Sequence, residues 1–291
     1  MKKLLILLVA FLQLNAVDAF ISPNQLKERL QSKDLVLIDV GTEALYKKSH
    51  ITGALHLDVT QYYDAENATV LIDNHELMQT FFKEMGINST SRVVLYSHNT
   101  DKGLLYSSYM ALALIANGFE NVSLLDGGYM AWVFEHELLT STAPREVQHD
   151  GNFTISYNPN IIVTTSYLKE NLGISKILDA RSPALYFGTL RSKNVSRLGH
   201  IATASSAYYK NNFLTDTTLR PKEDLQDIYF KGYQLSVDSE VIVYANNILK
   251  ASINWYIIYQ YLHIENAKIY AESLQVWTDN SELPMTRFKW E

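Results

Sequence analysis

The chain has 291 residues, 47% of them hydrophobic and 19% charged, with a formal net charge of −6. That composition excludes a disordered or fibrous protein, and the length suits two domains of roughly 130 to 140 residues each. The acidic balance argues against nucleic acid and anionic membrane surfaces as partners, since both reward a basic face. A cysteine count of zero rules out thiol chemistry and disulfides together.

In chain order, Lys2 and Lys3, the apolar run from Leu4 to Leu14, and the small residues Val17 and Ala19 predict a secretory signal peptide over residues 1–19. A membrane span needs about 20 apolar residues, so no membrane insertion is expected once the signal is removed. Its removal takes away Lys2, Lys3 and Asp18 and moves the net charge from −6 to −7. The expected location is the periplasm or the cell exterior. N-x-S/T triplets at Asn67, Asn88, Asn121, Asn152 and Asn194 are what an Asn- and Ser-rich chain produces by chance.

Ser22 and Pro23 predict a capped helix to about Leu30, because Ser accepts free amide hydrogens and Pro suits the first helical position. "LVLIDV" (35–40) is a continuous apolar run, as expected of a strand covered on both faces. An amphipathic helix from His75 to Met85 follows, then the strand "RVVLYS" (92–97) and a long apolar helix closed by Gly118. "VSLLDGG" and "YMAWVFE" supply a last strand, turn and helix.

The second half repeats this order at an offset of about 140 residues. "SKILDA" (175–180) answers "LVLIDV", "LGHIATA" answers "SHITGA", "VIVYAN" answers "VVLYSH", and "KIYAESLQVW" answers "SLLDGGYMAW". The polar stretch 141–154, with a Pro and a Gly, reads as a linker. The resulting organisation is a domain over 20–142, a linker over 143–153 and a second domain over 154–291. Strands alternating with helices imply a parallel sheet flanked by helices on both faces in each half, an α/β fold.

These eight segments, in order and duplicated, resemble the rhodanese family, specifically tandem two-domain thiosulfate and mercaptopyruvate sulfurtransferases. The resemblance covers about residues 22 to 287. It implies two tandem rhodanese-like domains with the catalytic cleft between them, and a nucleophilic cysteine directly after the "VxVY" strand of the second half. That position is Ala245. Sulfur transfer proceeds through a thiolate, and alanine has nothing to ionise. The loop Ala245, Asn246, Asn247, Ile248, Leu249, Lys250 also departs from the family, placing bulky side chains where small or cationic ones usually face substrate.

The resemblance further implies that Asp179 and Arg181 form the family's "DxR", with the arginine near a substrate anion. An internal salt bridge between them is the favoured reading over ligand binding. Arg197 and Arg191 are the other anion-binding candidates. Asp39, His50 and His200 occupy structural positions, and Gly41 stands where the first half would carry its arginine. Ser97 and His98 follow one another at a strand end, where successive side chains diverge, so no dyad is expected. The eight histidines show no ligand-like spacing, and neither metal nor cofactor is predicted. The aromatic stretch "NWYIIYQYLH" (254–263) reads as a core helix. The expected function is that of a disabled enzyme binding a protein partner or a small anion, against the alternative of an active thiosulfate sulfurtransferase.

Overall fold

The computed structural model describes residues 17–61, 70–98, 100–136, 139–214 and 218–291. Residues 1–16 of the expected signal peptide (1–19) and the triplet at Asn67 lie outside them. The first half holds strands β1 (Phe20–Ile21), β2 (Leu35–Asp39), β3 (His50–Ile51), β4 (Leu55–His56), β5 (Arg92–Tyr96), β6 (Val122–Leu125) and β7 (Thr140–Ser141). Its helices are α1 (Pro23–Arg29), α2 (Glu43–Lys48), α3 (Val70–Asp73), α4 (His75–Glu84), α5 (Thr100–Ala116) and α6 (Gly128–His136). The second half contributes β8 (Ile162–Val163), β9 (Lys176–Asp179), β10 (His200–Ile201), β11 (Ala204–Ser206), β12 (Val241–Tyr244), β13 (Ala267–Tyr270) and β14 (Met285–Thr286). Between them run α7 (Thr165–Glu170), α8 (Pro183–Phe187), α9 (Lys222–Gln226), α10 (Ile248–Tyr256) and α11 (Ser273–Asp279).

Each half forms a five-stranded, all-parallel sheet, ordered β1-β6-β5-β2-β4 in the first and β8-β13-β12-β9-β11 in the second. The two orders correspond strand for strand. In each half a two-residue antiparallel clip, β3 with β7 and β10 with β14, closes the rim. The helix start at Ser22 is a product of its local sequence. Ser22 Oγ accepts from the Gln25 amide at 3.2 Å, and Gln25 Oε1 accepts from the Ser22 amide at 2.9 Å, so two otherwise unsatisfied donors are answered reciprocally.

The central strands are buried along their length because helices cover both faces: all five residues of β2 and all four of β12 are buried. One apolar cluster runs through both halves and includes Leu95 and Leu112 of the first with Val243, Trp255 and Ile269 of the second. Helices α5 and α10 pack against each other at its centre. Apolar residues surround both helices because each lies between its own sheet and its twin. Tyr256 Oη crosses this joint to the carbonyl oxygens of Ala19 at 2.7 Å and Val122 at 3.0 Å. The Phe20 ring meets Tyr256 and Tyr261 edge-on, both at 5.7 Å.

The stretch beyond β7 is held to the first half by backbone hydrogen bonds. Gly151 N donates to Lys83 O at 2.8 Å, Phe153 N to Ile87 O at 3.1 Å and Asn158 N to Ala116 O at 2.8 Å. The Phe153 ring sits 4.5 Å from Phe82 and 5.2 Å from Phe119. Gly151 is required here, since a Cβ would lie 2.3 Å from Phe82 O and 2.4 Å from Ile87 N. Gly151→Ala is therefore expected to lower stability by about 1–3 kcal/mol, the usual cost of forced overpacking. Urea denaturation measures it, and an unchanged midpoint would show that the strap tolerates displacement.

Candidate functional site

Ligands of open parallel sheets bind beyond the carboxyl ends of the strands. At that end of the second half stand Asp179, closing β9, and Tyr244, closing β12, followed by the loop into α10. Asp179 is fully buried, and a carboxylate out of water must be answered by donors. Arg181 supplies most of them: its backbone N donates to Oδ1 at 2.9 Å, Nε to Oδ1 at 2.9 Å, and Nη2 to Oδ2 at 2.6 Å. Tyr244 Oη donates to Oδ2 at 2.7 Å.

The remaining reach of the guanidinium is taken up within the protein. Nη2 also donates to Gly199 O at 2.7 Å and Nη1 to Asn246 Oδ1 at 3.3 Å, while Asn246 Nδ2 donates to Ser192 Oγ at 2.7 Å. Arg181 is only 2% exposed. Burial opposes its charge, but Asp179 outweighs that and holds the guanidinium above its ordinary range. Burial first, and then the Asp179 charge, push the Tyr244 phenol far above its usual range and keep it a donor. The arginine that the family resemblance would bring to a substrate anion is thus turned inward onto Asp179.

The loop is closed over in the same way. Ala245 is 1% exposed and its carbonyl accepts from Leu274 N at 3.1 Å. Ile248 and Leu249 pack into the shared core instead of facing a cleft. Asn247 holds the extended backbone of a helix cap, but its side chain caps nothing, and its Oδ1 is buried without a partner. Lys250 is half-buried in the first turn of α10.

Arg197 lies elsewhere. Its Nε donates to Thr278 O at 3.0 Å, Nη1 to Leu283 O at 2.8 Å, and Nη2 to Trp277 O at 2.9 Å and Asn280 O at 2.7 Å. It satisfies the carbonyls that end α11, a favourable place for a cation. Of the three arginines offered as anion ligands, Arg191 alone is exposed and has no hydrogen bond or ion pair with described residues. His200 is buried and stacked on Tyr186 at 3.7 Å, with Nδ1 2.9 Å from Tyr186 O. Its Nε2 has no hydrogen-bond partner, and Glu291 Oε2 stands 3.8 Å away. His50 repeats the stack on Tyr46 at 3.8 Å, but both its nitrogens reach carbonyls, of Tyr46 at 2.8 Å and Ala143 at 3.1 Å.

The first half solves the buried carboxylate differently. Asp39 accepts from Gly41 N at 2.9 Å, as Asp179 does from Arg181 N, and the Tyr96 hydroxyl accepts from Ile51 N at 3.0 Å, as that of Tyr244 does from Ile201 N. Gly41 has no side chain to send. His98 takes over that task, with Nε2 2.7 Å from Asp39 Oδ2 and the ring 3.9 Å from that of Tyr129. A Cβ on Gly41 would lie 2.9 Å from Asp39 Oδ1 and 3.3 Å from Ser97 Oγ. His98 therefore pairs with Asp39 and forms no hydrogen bond with Ser97. Sequence reasoning missed this pair because 59 residues separate its members. The available signal was the joint departure of Gly41 and His98 from the second half's Arg181 and Asn246.

Among the described residues no three His, Asp or Glu side chains gather as a metal site, and no helix is long and apolar enough to cross a membrane. Two copies of one α/β unit, each with a buried Asp and Tyr at the ends of its central strands and neither with a nucleophile after them, define a tandem sulfurtransferase fold without its reactive thiol. The rhodanese-like domain model matches residues 22–135 and 164–280; the chain belongs to the rhodanese family. It is 24% identical over 283 residues to the sulfur carrier protein TtuD of Thermus thermophilus, covering 93% of this chain and 97% of that one. It is 25% identical over 268 residues to the thiosulfate sulfurtransferase of Pseudomonas aeruginosa, covering 91% and 96%. Its fold matches the 3-mercaptopyruvate sulfotransferase SseA of Escherichia coli with a TM-score of 0.71, 23% identity, and coverage of 87% and 97%. YnjE matches with a TM-score of 0.78, 20% identity, and coverage of 93% and 68%.

This geometry generates two measurements. Removing the imidazole leaves the buried Asp39 carboxylate short of a partner, so His98→Ala is expected to cost about 1–3 kcal/mol in urea denaturation. His98→Gln, which keeps a donor, should lose less than His98→Ala, and equal losses would show that the ring acts through packing and not through Asp39. For His200, burial lowers the imidazole below its ordinary 6.5, the Tyr186 carbonyl opposing. The unfolded chain then binds more protons, so this contribution is full above about pH 6.5 and is lost as pH falls. His200→Gln should flatten the stability profile between pH 7 and 5, and an unaltered slope would assign the acid sensitivity elsewhere.

Proposed function

We propose that this chain is an exported rhodanese relative that no longer transfers sulfur and serves as a binding module. The observation that carries this reading is the Ala245 methyl, buried at the place of the family's thiol in a chain with no cysteine. A methyl group can neither accept sulfane sulfur nor release it. Ile248 and Leu249 filling the loop, and four of the five N–H groups of Arg181 directed to Asp179, Gly199 and Asn246, support loss of the anion-receiving surface. Export is supported by the basic, apolar and small-residue pattern of residues 1–19. A protein partner is favoured over a small anion, because Arg181 and Arg197 direct their donors to the protein itself.

The competing reading is an active thiosulfate sulfurtransferase, suggested by the names of the relatives. Purified protein supplied with thiosulfate and cyanide should produce thiocyanate only at background, since losing a nucleophile costs several orders of magnitude. Turnover well above a denatured control would overturn the proposal. Ala245→Cys alone should stay at background as well, because the new thiol would meet a filled loop. Restoration of turnover by that single change would show the loop to be competent.

A further inference from the structure

Among the described residues, three of the large hydrophobic side chains left exposed belong to one small region beside α8: Leu190 at 55%, Phe288 at 55% and Trp290 at 57%. The Trp290 indole stacks on Phe187 at 5.3 Å and on Tyr186 at 5.2 Å, and Phe288 meets Phe187 at 5.7 Å. Phe288 has a φ of 60°, a conformation that costs a bulky residue energy and that marks sites where the surroundings impose it. Its amide donates to Phe187 O at 2.9 Å, so the backbone holds the ring on the surface.

The region is cationic within an acidic protein. The Arg287 guanidinium lies 4.1 Å from the centre of the Phe288 ring, and its Nε donates to Gly188 O at 3.1 Å. The same segment continues to the exposed Arg191 and to Ser192, which is bonded to Asn246 of the altered loop. The carboxylate beside the rings, Glu291, is already held by Thr203 N, Thr286 and Lys289.

We propose that the face formed by Phe187, Phe288 and Trp290 with Arg287 and Arg191 docks a partner polypeptide through a segment carrying carboxylates beside apolar side chains. Charge selects this occupant: the exposed cations attract a few acidic groups locally, whereas a membrane or nucleic acid would present dense negative charge to the whole acidic molecule. The rings supply the anchor, since aromatic residues and Arg are the side chains enriched where partners bind. The inference rests on the proposed binding function and names the surface and partner chemistry it would use.

Trp290 makes the test selective, because Trp132, Trp255 and Trp277 are fully buried. The probes are a capped peptide alternating Glu and Leu, its Lys and Leu counterpart, and phosphatidylserine vesicles, each followed by Trp fluorescence and iodide quenching. The acidic peptide should bind saturably and shield Trp290. Arg287→Glu or Arg191→Glu, with melting temperature checked, should weaken it at least about ten-fold. No saturable change at millimolar peptide, equal binding of the basic peptide, or shielding by vesicles without shielding by the peptide would overturn the proposal. The thiocyanate assay is independent: turnover there would end the disabled-enzyme reading while leaving this surface to be judged by its own titration.

Discussion

A carboxylate removed from water at the end of a central strand sets the terms for each half of this molecule. Asp39 and Asp179 are fully buried, and everything around them is arranged to supply donors. A backbone amide two residues on is common to both halves, and in the second the Tyr244 hydroxyl from the neighbouring strand is added to it. The further donor differs, guanidinium in one and imidazole in the other. Because Arg181 must serve Asp179, it is withdrawn from any ligand. Because Gly41 cannot serve Asp39, the loop after β5 bends His98 into the gap. The same electrostatic demand thus governs the conformation of the loop after β5 and of the loop after β12, where the family would place its chemistry.

The second loop shows the effect of losing the reactive atom. With a methyl at position 245 there is no charge to stabilise, and the helix start that would face an anion has been given to Ile248 and Leu249, which extend the core. On the proposed reading, the chain would keep the scaffold's stabilising parts without the parts whose value is chemical. That separation is physically natural, since the buried Asp, Arg and Tyr network stabilises the fold whether or not a thiol stands beside it.

Much of this architecture was legible in the sequence. Apolar runs such as 35–40 and 241–244 fit strands covered on both faces, and the duplicated order of segments implied two sheets of one topology. Ser22 and Pro23 announced their helix because capping is local. The missing nucleophile was legible too, since it needs only register. What stayed hidden depends on distance in the chain: the Asp39 to His98 pair, the four carbonyls gathered by Arg197, and the hydroxyl of Tyr256 crossing between the halves. The stretch 141–154 reads as a linker because it is polar and holds a Pro and a Gly. Its attachment is made by backbone groups and one phenyl ring, which composition does not reveal.

That attachment bears on how such a molecule can respond to a visitor. With α5 and α10 sharing one core and residues 151–158 bonded along the first half, the two lobes are joined by packed apolar surface and backbone bonds. Opening a gap between them would tear apolar surface into water. The partner recognition proposed above would then fall on the outer rim, by the reorientation of single side chains and not by the swinging of whole lobes.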